Sequence, residues 1–137
     1  MKVLLDANIV LDFFLIREPH YDQAKKIFEL TYQEKIEAYT TASSVTDIYY
    51  IVSKRLGNDE ARRVIRNLLS LLLVVAVDGD DCTQALDLPI SDYEDAVIST
   101  CAAKEELDYI ITNDTDFLQV DKGIALVITP VDLLNKI

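Results

Sequence analysis

Short apolar runs alternate with helical stretches along the whole chain, and no hairpin signal joins any two of them. Lys2–Leu5 is a β-branched and aliphatic run that stops at a polar break, which predicts a buried strand. Ala38–Thr41, Leu72–Val77, Tyr109–Thr112 and Leu126–Ile128 read the same way. Helices are predicted over Ala7–Ile16, Tyr21–Glu34, Ser44–Leu56, Asp59–Ser70 and Asp92–Leu107, with a short one ending near Leu86 and a last one opened by Pro130. In Ser44–Leu56 the apolar residues Val45, Ile48, Tyr49, Val52 and Leu56 recur at helical spacing, and Gly57-Asn58 closes the helix. Ser91 and Glu94 read as a capping box for Asp92–Leu107. Strands that never meet through a tight turn must be joined by crossovers. The pattern therefore predicts an α/β fold, a three-layer α/β/α sandwich around a central parallel sheet of four to five strands. At 137 residues the chain fits one domain spanning 1–137.

Composition excludes several classes. Three Gly, three Pro and no low-complexity tract argue against disorder. The apolar N-terminus is interrupted by Asp6, Asn8 and Asp12 before a signal core can form, and the run between Asn67 and Asp78 is too short to span a bilayer. Cys82 and Cys101 lack metal-ligand spacing and read as two reduced thiols in a cytoplasmic protein. The net charge of −11, from 24 acidic and 13 basic residues, weighs against a nucleic-acid binder that relies on a broad basic surface. It favours a cation ligand, a basic partner, or plain solubility.

Where the acids fall decides between these. In parallel α/β folds ligands bind outside the carboxyl ends of the strands. Asp6 directly follows the first strand and Asp114 closely follows Tyr109–Thr112. Asp47 and Asp95 lie near the starts of helices that point at the same edge. Two carboxylates about 5 Å apart, at an effective dielectric of about 20, repel by roughly 3 kcal/mol. No basic residue follows these acids until Arg17, Lys54, Lys104 and Lys122. A hard divalent cation, Mg²⁺ or Mn²⁺, is the expected counter-charge, and a single histidine, His20, argues against an imidazole-bound zinc.

Each acid also has a plainer reading when taken alone. Asp6 can cap the helix after it, Asp47 can be a solvated first-turn acid, and Asp92, Glu94 and Asp95 can be no more than N-terminal helix charge. Asp114 can belong to a turn, and Arg17 can fold back to neutralise part of the group. Only their convergence argues for a site. A receiver domain is the wrong fit, because Asp6 is followed by Ala7-Asn8 rather than a second acid, although Asp78 imitates its phosphoacceptor. A haloacid-dehalogenase reading fails on the same DAN triplet.

Four blocks occur in order: LLDANIVLD at Leu4–Asp12, SSVTDIYY at Ser43–Tyr50, DYEDAVISTCA at Asp92–Ala102 and YIITNDTDF at Tyr109–Phe117. In these the chain resembles the PIN domain family of VapC-like toxins and related ribonucleases, from near Met1 to about Pro130. The resemblance implies an acidic cluster of Asp6, Asp47, Asp95 and Asp114, with Asp6, Asp95 and Asp114 holding Mg²⁺ or Mn²⁺. It also implies supporting roles for Asn8, Ser44, Thr112, Asp92 and Asp116. The implied activity is internal hydrolysis of single-stranded RNA, with bases stacking on Tyr49, Tyr50 or Phe117. The implied partners are a basic antitoxin and a second copy of the chain, with no membrane. Two positions depart from the family's habit: Asp47 stands where Glu is usual, and Asn113 where a basic residue is usual. These departures, with the net charge, motivate the alternative of a catalytically weak or inactive PIN-like protein that acts by binding a partner.

Overall fold

The computed structural model describes residues Met1–Ile137. Five strands, β1 (Lys2–Leu5), β2 (Glu37–Thr41), β3 (Leu73–Val75), β4 (Tyr109–Ile111) and β5 (Val127–Ile128), form one all-parallel sheet in the order β3-β2-β1-β4-β5. Eight helices make the connections: α1 (Ala7–Phe14), α2 (Tyr21–Tyr32), α3 (Ala42–Leu56), α4 (Asn58–Leu71), α5 (Gly79–Ala85), α6 (Tyr93–Lys104), α7 (Thr115–Leu118) and α8 (Pro130–Asn135). The expected α/β/α sandwich is therefore the observed architecture.

Period-two alternation along the central strands sorts the core into two layers. Val3 and Leu5 of β1, with Ile111 of β4, pack under α1 to α4; Leu4 and Ile110 turn to the opposite face, against α6 and α7. α6 is buried from Asp95 through Ala102 and so carries apolar or small residues all round. Only its ends reach the surface, at Asp92, Tyr93 and Glu94 and again at Ala103 and Lys104. The strand order reverses between β1 and β4, with the chain leaving β1 for β2 on one side and later returning to β4 on the other. Such a reversal opens a crevice at the carboxyl ends of the two strands.

Several boundaries differ from those predicted, for local reasons. α1, α2 and α6 each stop two to three residues early, at left-handed residues that are not glycine: Ile16 (φ 52°), Glu34 (φ 59°) and Glu106 (φ 54°). In each case the next residue's N–H reaches back five residues, Arg17 to Asp12, Lys35 to Leu30 and Leu107 to Ala102, completing a Schellman turn. The predicted strand Leu72–Val77 is only Leu73–Val75, because the carbonyl of Ala76 is taken by the Lys104 ammonium, 2.9 Å away. Asp78 and Asp81 then form a reciprocal capping box at the start of α5. Asp78 is thus a helix cap rather than a phosphoacceptor. The cap of α6 is Asp92, whose side chain accepts from the Asp95 N–H at 3.0 Å, and not the predicted Ser91–Glu94 box. α3 begins at Ala42, capped by Thr41, whose hydroxyl accepts from the Ser44 N–H.

Candidate metal and nucleic-acid site

β1 delivers Asp6 to the crevice directly, since the strand ends at Leu5 and the Asp6 N–H is still bonded to the Ile111 carbonyl of β4 at 3.0 Å. The residue occupies the cap position of α1, yet its side chain makes no capping bond. Its carboxylate instead accepts from the Thr112 hydroxyl across the strand boundary, at 2.7 Å. Thr112 also accepts from the Asp114 N–H at 3.0 Å, so one buried hydroxyl ties the ends of β1 and β4 together. Asp114 then caps α7, accepting from the Asp116 N–H at 2.9 Å. Its turn role and its place beside Asp6 are therefore simultaneous.

α6 brings the other carboxylates. Asp95 is buried with no side-chain partner, while Asp92 and Glu94 are exposed on the same turn. Burial raises Asp95 most, and the charges of Asp92, Asp6, Asp114 and Glu94 raise it further, to about 7. Asp6 is raised as well, first by burial and then, against the lowering effect of Thr112, by Asp114 and Asp92. Glu94 is raised by burial and by Asp47 facing it from α3. The structure thus brings Asp6, Asp92, Asp95 and Asp114 into electrostatic contact and adds Glu94, through which alone Asp47 joins the group. Sequence reasoning treated Glu94 as cap and helix charge. The signal that would have found it is its place on the first turn of α6, opposite the start of α3.

The basic side chains stay away. The three ion pairs are Arg17–Asp12 at 2.9 Å, Arg63–Glu60 at 3.1 Å and Lys104–Asp81 at 2.6 Å, none of which involves these acids. Arg17 does fold back, as its spacing allowed, but onto buried Asp12 and onto the carbonyl and carboxamide oxygens of Asn8, each 3.3 Å away. Asn8 and Ser44 are engaged elsewhere, Asn8 by Arg17 and Ser44 by Thr41 at 2.9 Å. Asn113 turns its amide nitrogen inward with no hydrogen-bond partner. Phe117 is buried in the core and cannot stack on a base, and Tyr49 is half-buried, whereas Tyr50 is 61% exposed.

A cleft of about 710 Å³ opens beside the acids, lined by Asp92, Asp95, Asp114, Asp116 and, from the loop after α7, Asp121. All are hard oxygen donors without a basic neighbour, the donor chemistry that Mg²⁺ and Mn²⁺ take. No three of the acids are gathered into a ready-made coordination shell. The residues fit such a cation in kind, and the half-empty spacing suits an ion that keeps water ligands.

Comparison with known proteins agrees with this fold. The model of the PIN domain family matches residues 2–116. Among solved structures, VapBC2 of Rickettsia felis bound to a promoter DNA fragment is similar at a TM-score of 0.69 and 18% identity, over 94% of this chain and 98% of that one. A toxin–antitoxin complex of Klebsiella pneumoniae gives 0.69 and 21%, over 93% and 97%. VapC20 of Mycobacterium tuberculosis, described as a toxin that cleaves the sarcin–ricin loop, gives 0.67 and 16%, over 84% and 92%. At these identities the likeness is one of fold. No curated protein matches the sequence. No helix is long and apolar enough to cross a membrane.

Proposed function

The chain belongs to the PIN domain family, and on that premise we propose that it is a nuclease: an Mg²⁺- or Mn²⁺-dependent endoribonuclease that hydrolyses phosphodiester bonds in single-stranded RNA, with residues 1–137 acting as one cytoplasmic domain. The observation that carries this reading is Asp95, buried, unpartnered and raised to about 7 by burial and then by the carboxylates around it. A cluster so costly in charge is stabilised by a divalent cation, and no side chain of the chain supplies that charge.

Asp6, Asp95 and Asp114 would hold the cation. Once bound, it supplies Lewis-acid polarisation of the phosphoryl oxygens and acidifies the attacking water. The chain's own residues do the rest. Thr112 holds one oxygen of the Asp6 carboxylate and leaves the other for the cation. Asp47 and Glu94, opposed across the α3–α6 gap, orient the attacking water, and the raised Glu94 accepts its proton. Glu94 thereby supplies the reach that Asp47, a methylene short, lacks. The test is cleavage of single-stranded RNA with Mn²⁺ by the wild type, Asp6→Asn and Asp95→Asn, with circular dichroism to check folding. Folded variants that cleave at the wild-type rate refute the assignment.

The chain would act as the toxin of a toxin–antitoxin pair, silenced by a basic antitoxin that lays its charge among these acids, and would form a homodimer. Supporting this are the VapBC and toxin–antitoxin complexes among its structural relatives. A short basic reading frame next to its own, whose product co-purifies with it and stops cleavage, is the expected finding. The short Asp47 and the open spacing of the acids favour a second reading, a PIN-like protein with little hydrolysis that acts through its partner. An unchanged melting temperature at millimolar Mn²⁺ would select it.

A further inference from the structure

The scarce positive charge is not spread evenly. Lys54, Arg55, Arg62, Arg63 and Arg66 are five of the 13 basic residues, yet they fall within the end of α3 and the facing length of α4. All five are exposed. Only Arg63 has an acidic partner, Glu60. In a chain of net charge −11, four exposed cations on two packed helices with no acid within ion-pair distance are not explained by solubility. Two of them lie over aromatic rings, Lys54 at 5.2 Å from the ring centre of Tyr50 and Arg62 at 5.9 Å from that of Tyr49. Tyr50 keeps 61% of its surface exposed, so it retains area for stacking.

The patch also has a direction. Asp47, Tyr50, Ile51 and Lys54 stand at i, i+3, i+4 and i+7 on α3 and all are exposed, so they form one stripe roughly 10 Å long. Its first member faces Glu94 in the acidic site. Its last lies over the Tyr50 ring, and Arg62, one turn from Arg66 on the packed helix α4, lies over the ring of the neighbouring Tyr49.

We propose that this α3–α4 face binds the single-stranded RNA flanking the scissile bond, with Tyr50 stacking on a base and Lys54, Arg55, Arg62 and Arg66 on the phosphates. The inference deepens the nuclease reading and rests on it for the identity of the strand. Charge complementarity selects the occupant: unpaired cations with an interleaved exposed ring suit a polyanion whose bases are free to stack. The face stands apart from the acidic cleft, so the strand crosses the acids only where the cation is bound and is held by the basic face beyond it.

Binding of a short fluorescein-labelled single-stranded RNA, followed by anisotropy with EDTA present and across a salt series, tests this without any hydrolysis. Each phosphate contact contributes about 0.7 to the slope of log K against log salt, or about 5-fold in affinity at roughly 0.1 M salt. Arg62→Gln/Arg66→Gln should therefore bind about 25-fold more weakly, with a slope smaller by about 1.4. Lys54→Gln/Arg55→Gln should do the same, which covers the possibility that removing Arg62 disturbs helix packing. Tyr50→Ala should lose about 5-fold or more with little change in slope. Lys25→Gln/Lys26→Gln on α2, an equal change of net charge, should bind as the wild type. Wild-type affinity in the α3–α4 variants overturns the proposal, as does equal weakening by the α2 control. So does light scattering in which the variants dissociate a dimer with RNA affinity unchanged, because the face would then join two copies. Displacement of the RNA only by an acidic peptide, with no salt-dependent RNA binding of its own, would assign the face to a protein. Wild-type RNA that is bound through this face but never cut with Mn²⁺ refutes the nuclease reading and leaves this one intact.

Discussion

Replacing Asp95 by Asn should make the protein more stable at pH 8, against the usual direction for a change at a buried position. The Asp95 carboxyl is buried and its ionisation is opposed by Asp92, Asp6, Asp114 and Glu94, so it holds its proton up to about 7 instead of 3.8. In the unfolded chain the same group ionises near its ordinary value. Between those two values the folded protein binds more protons than the unfolded one, so stability falls as pH rises through the window, and the cost is complete above about 7. A shift of about three units corresponds to about 4 kcal/mol. Asp92, Asp114 and Glu94 are exposed, so water and salt screen much of their repulsion, which leaves about 1–2 kcal/mol. For a chain of this length that is about 3–7 °C in melting temperature. Asp95→Asn keeps the shape and removes the charge. Thermal melts at pH 5 and pH 8 should therefore show a wild type that loses stability towards pH 8 and a variant that loses less, since Asp6 and Glu94 remain raised. At pH 8 the variant should melt higher, and at pH 5, partway through the window, it should do so by less than half as much. Millimolar Mn²⁺ should raise the wild type at pH 8 and leave the variant where it was. A variant less stable than the wild type at pH 8 would refute the account of this site as a repelling cluster awaiting a cation.

Other perturbations separate the site from its frame. Thr112→Val removes the hydroxyl that bonds Asp6 and the Asp114 N–H; it should cost about 1–3 kcal/mol in urea unfolding and depress cleavage far more than Thr112→Ser does. Arg17→Ala leaves the buried Asp12 carboxylate without its partner, and a loss of about 2 kcal/mol is expected in the same assay. The Lys104 ammonium holds the Asp81 carboxyl below its usual range. That pair therefore stabilises the fold above the ordinary Asp value and fails as pH drops through the lowered one, so Lys104→Met should remove part of the acid-induced loss seen in the wild type below about pH 4. Glu106→Gly, at a left-handed position, should be neutral or stabilising by up to about 1 kcal/mol in thermal melts, whereas Glu106→Val should destabilise.

Much of this architecture could be read from the chain. β1 and β4 were visible because Val3–Leu5 and Tyr109–Ile111 are unbroken runs of apolar residues, and the acids beyond them were visible because Asp6 and Asp114 are the first charges after those runs. Helix ends were less legible. Ile16, Glu34 and Glu106 adopt a conformation that sequence rules assign to glycine, and tertiary packing imposes it. Glu94 escaped because a first-turn acid on a helix already has a sufficient local explanation, and only the approach of α3 gives it a second one. Asn8 and Ser44 show the reverse: their place in sequence motifs pointed to the acids, while nearer partners, Arg17 and Thr41, hold them. Net charge misled in its own way, since a sum of −11 concealed a local basic face.

The hydrogen bond between Thr112 and Asp6 spans 106 positions of sequence. β1, the first of the five strands in chain order, lies in the middle of the finished sheet with β4 as a neighbour. It can pair early with β2, but its other edge and the carboxylate at its tip stay unmatched until β4 has been made. A contact closed so late is expected to be slow to form. A nascent chain therefore carries its acid row unassembled through the whole synthesis of α1 to α6.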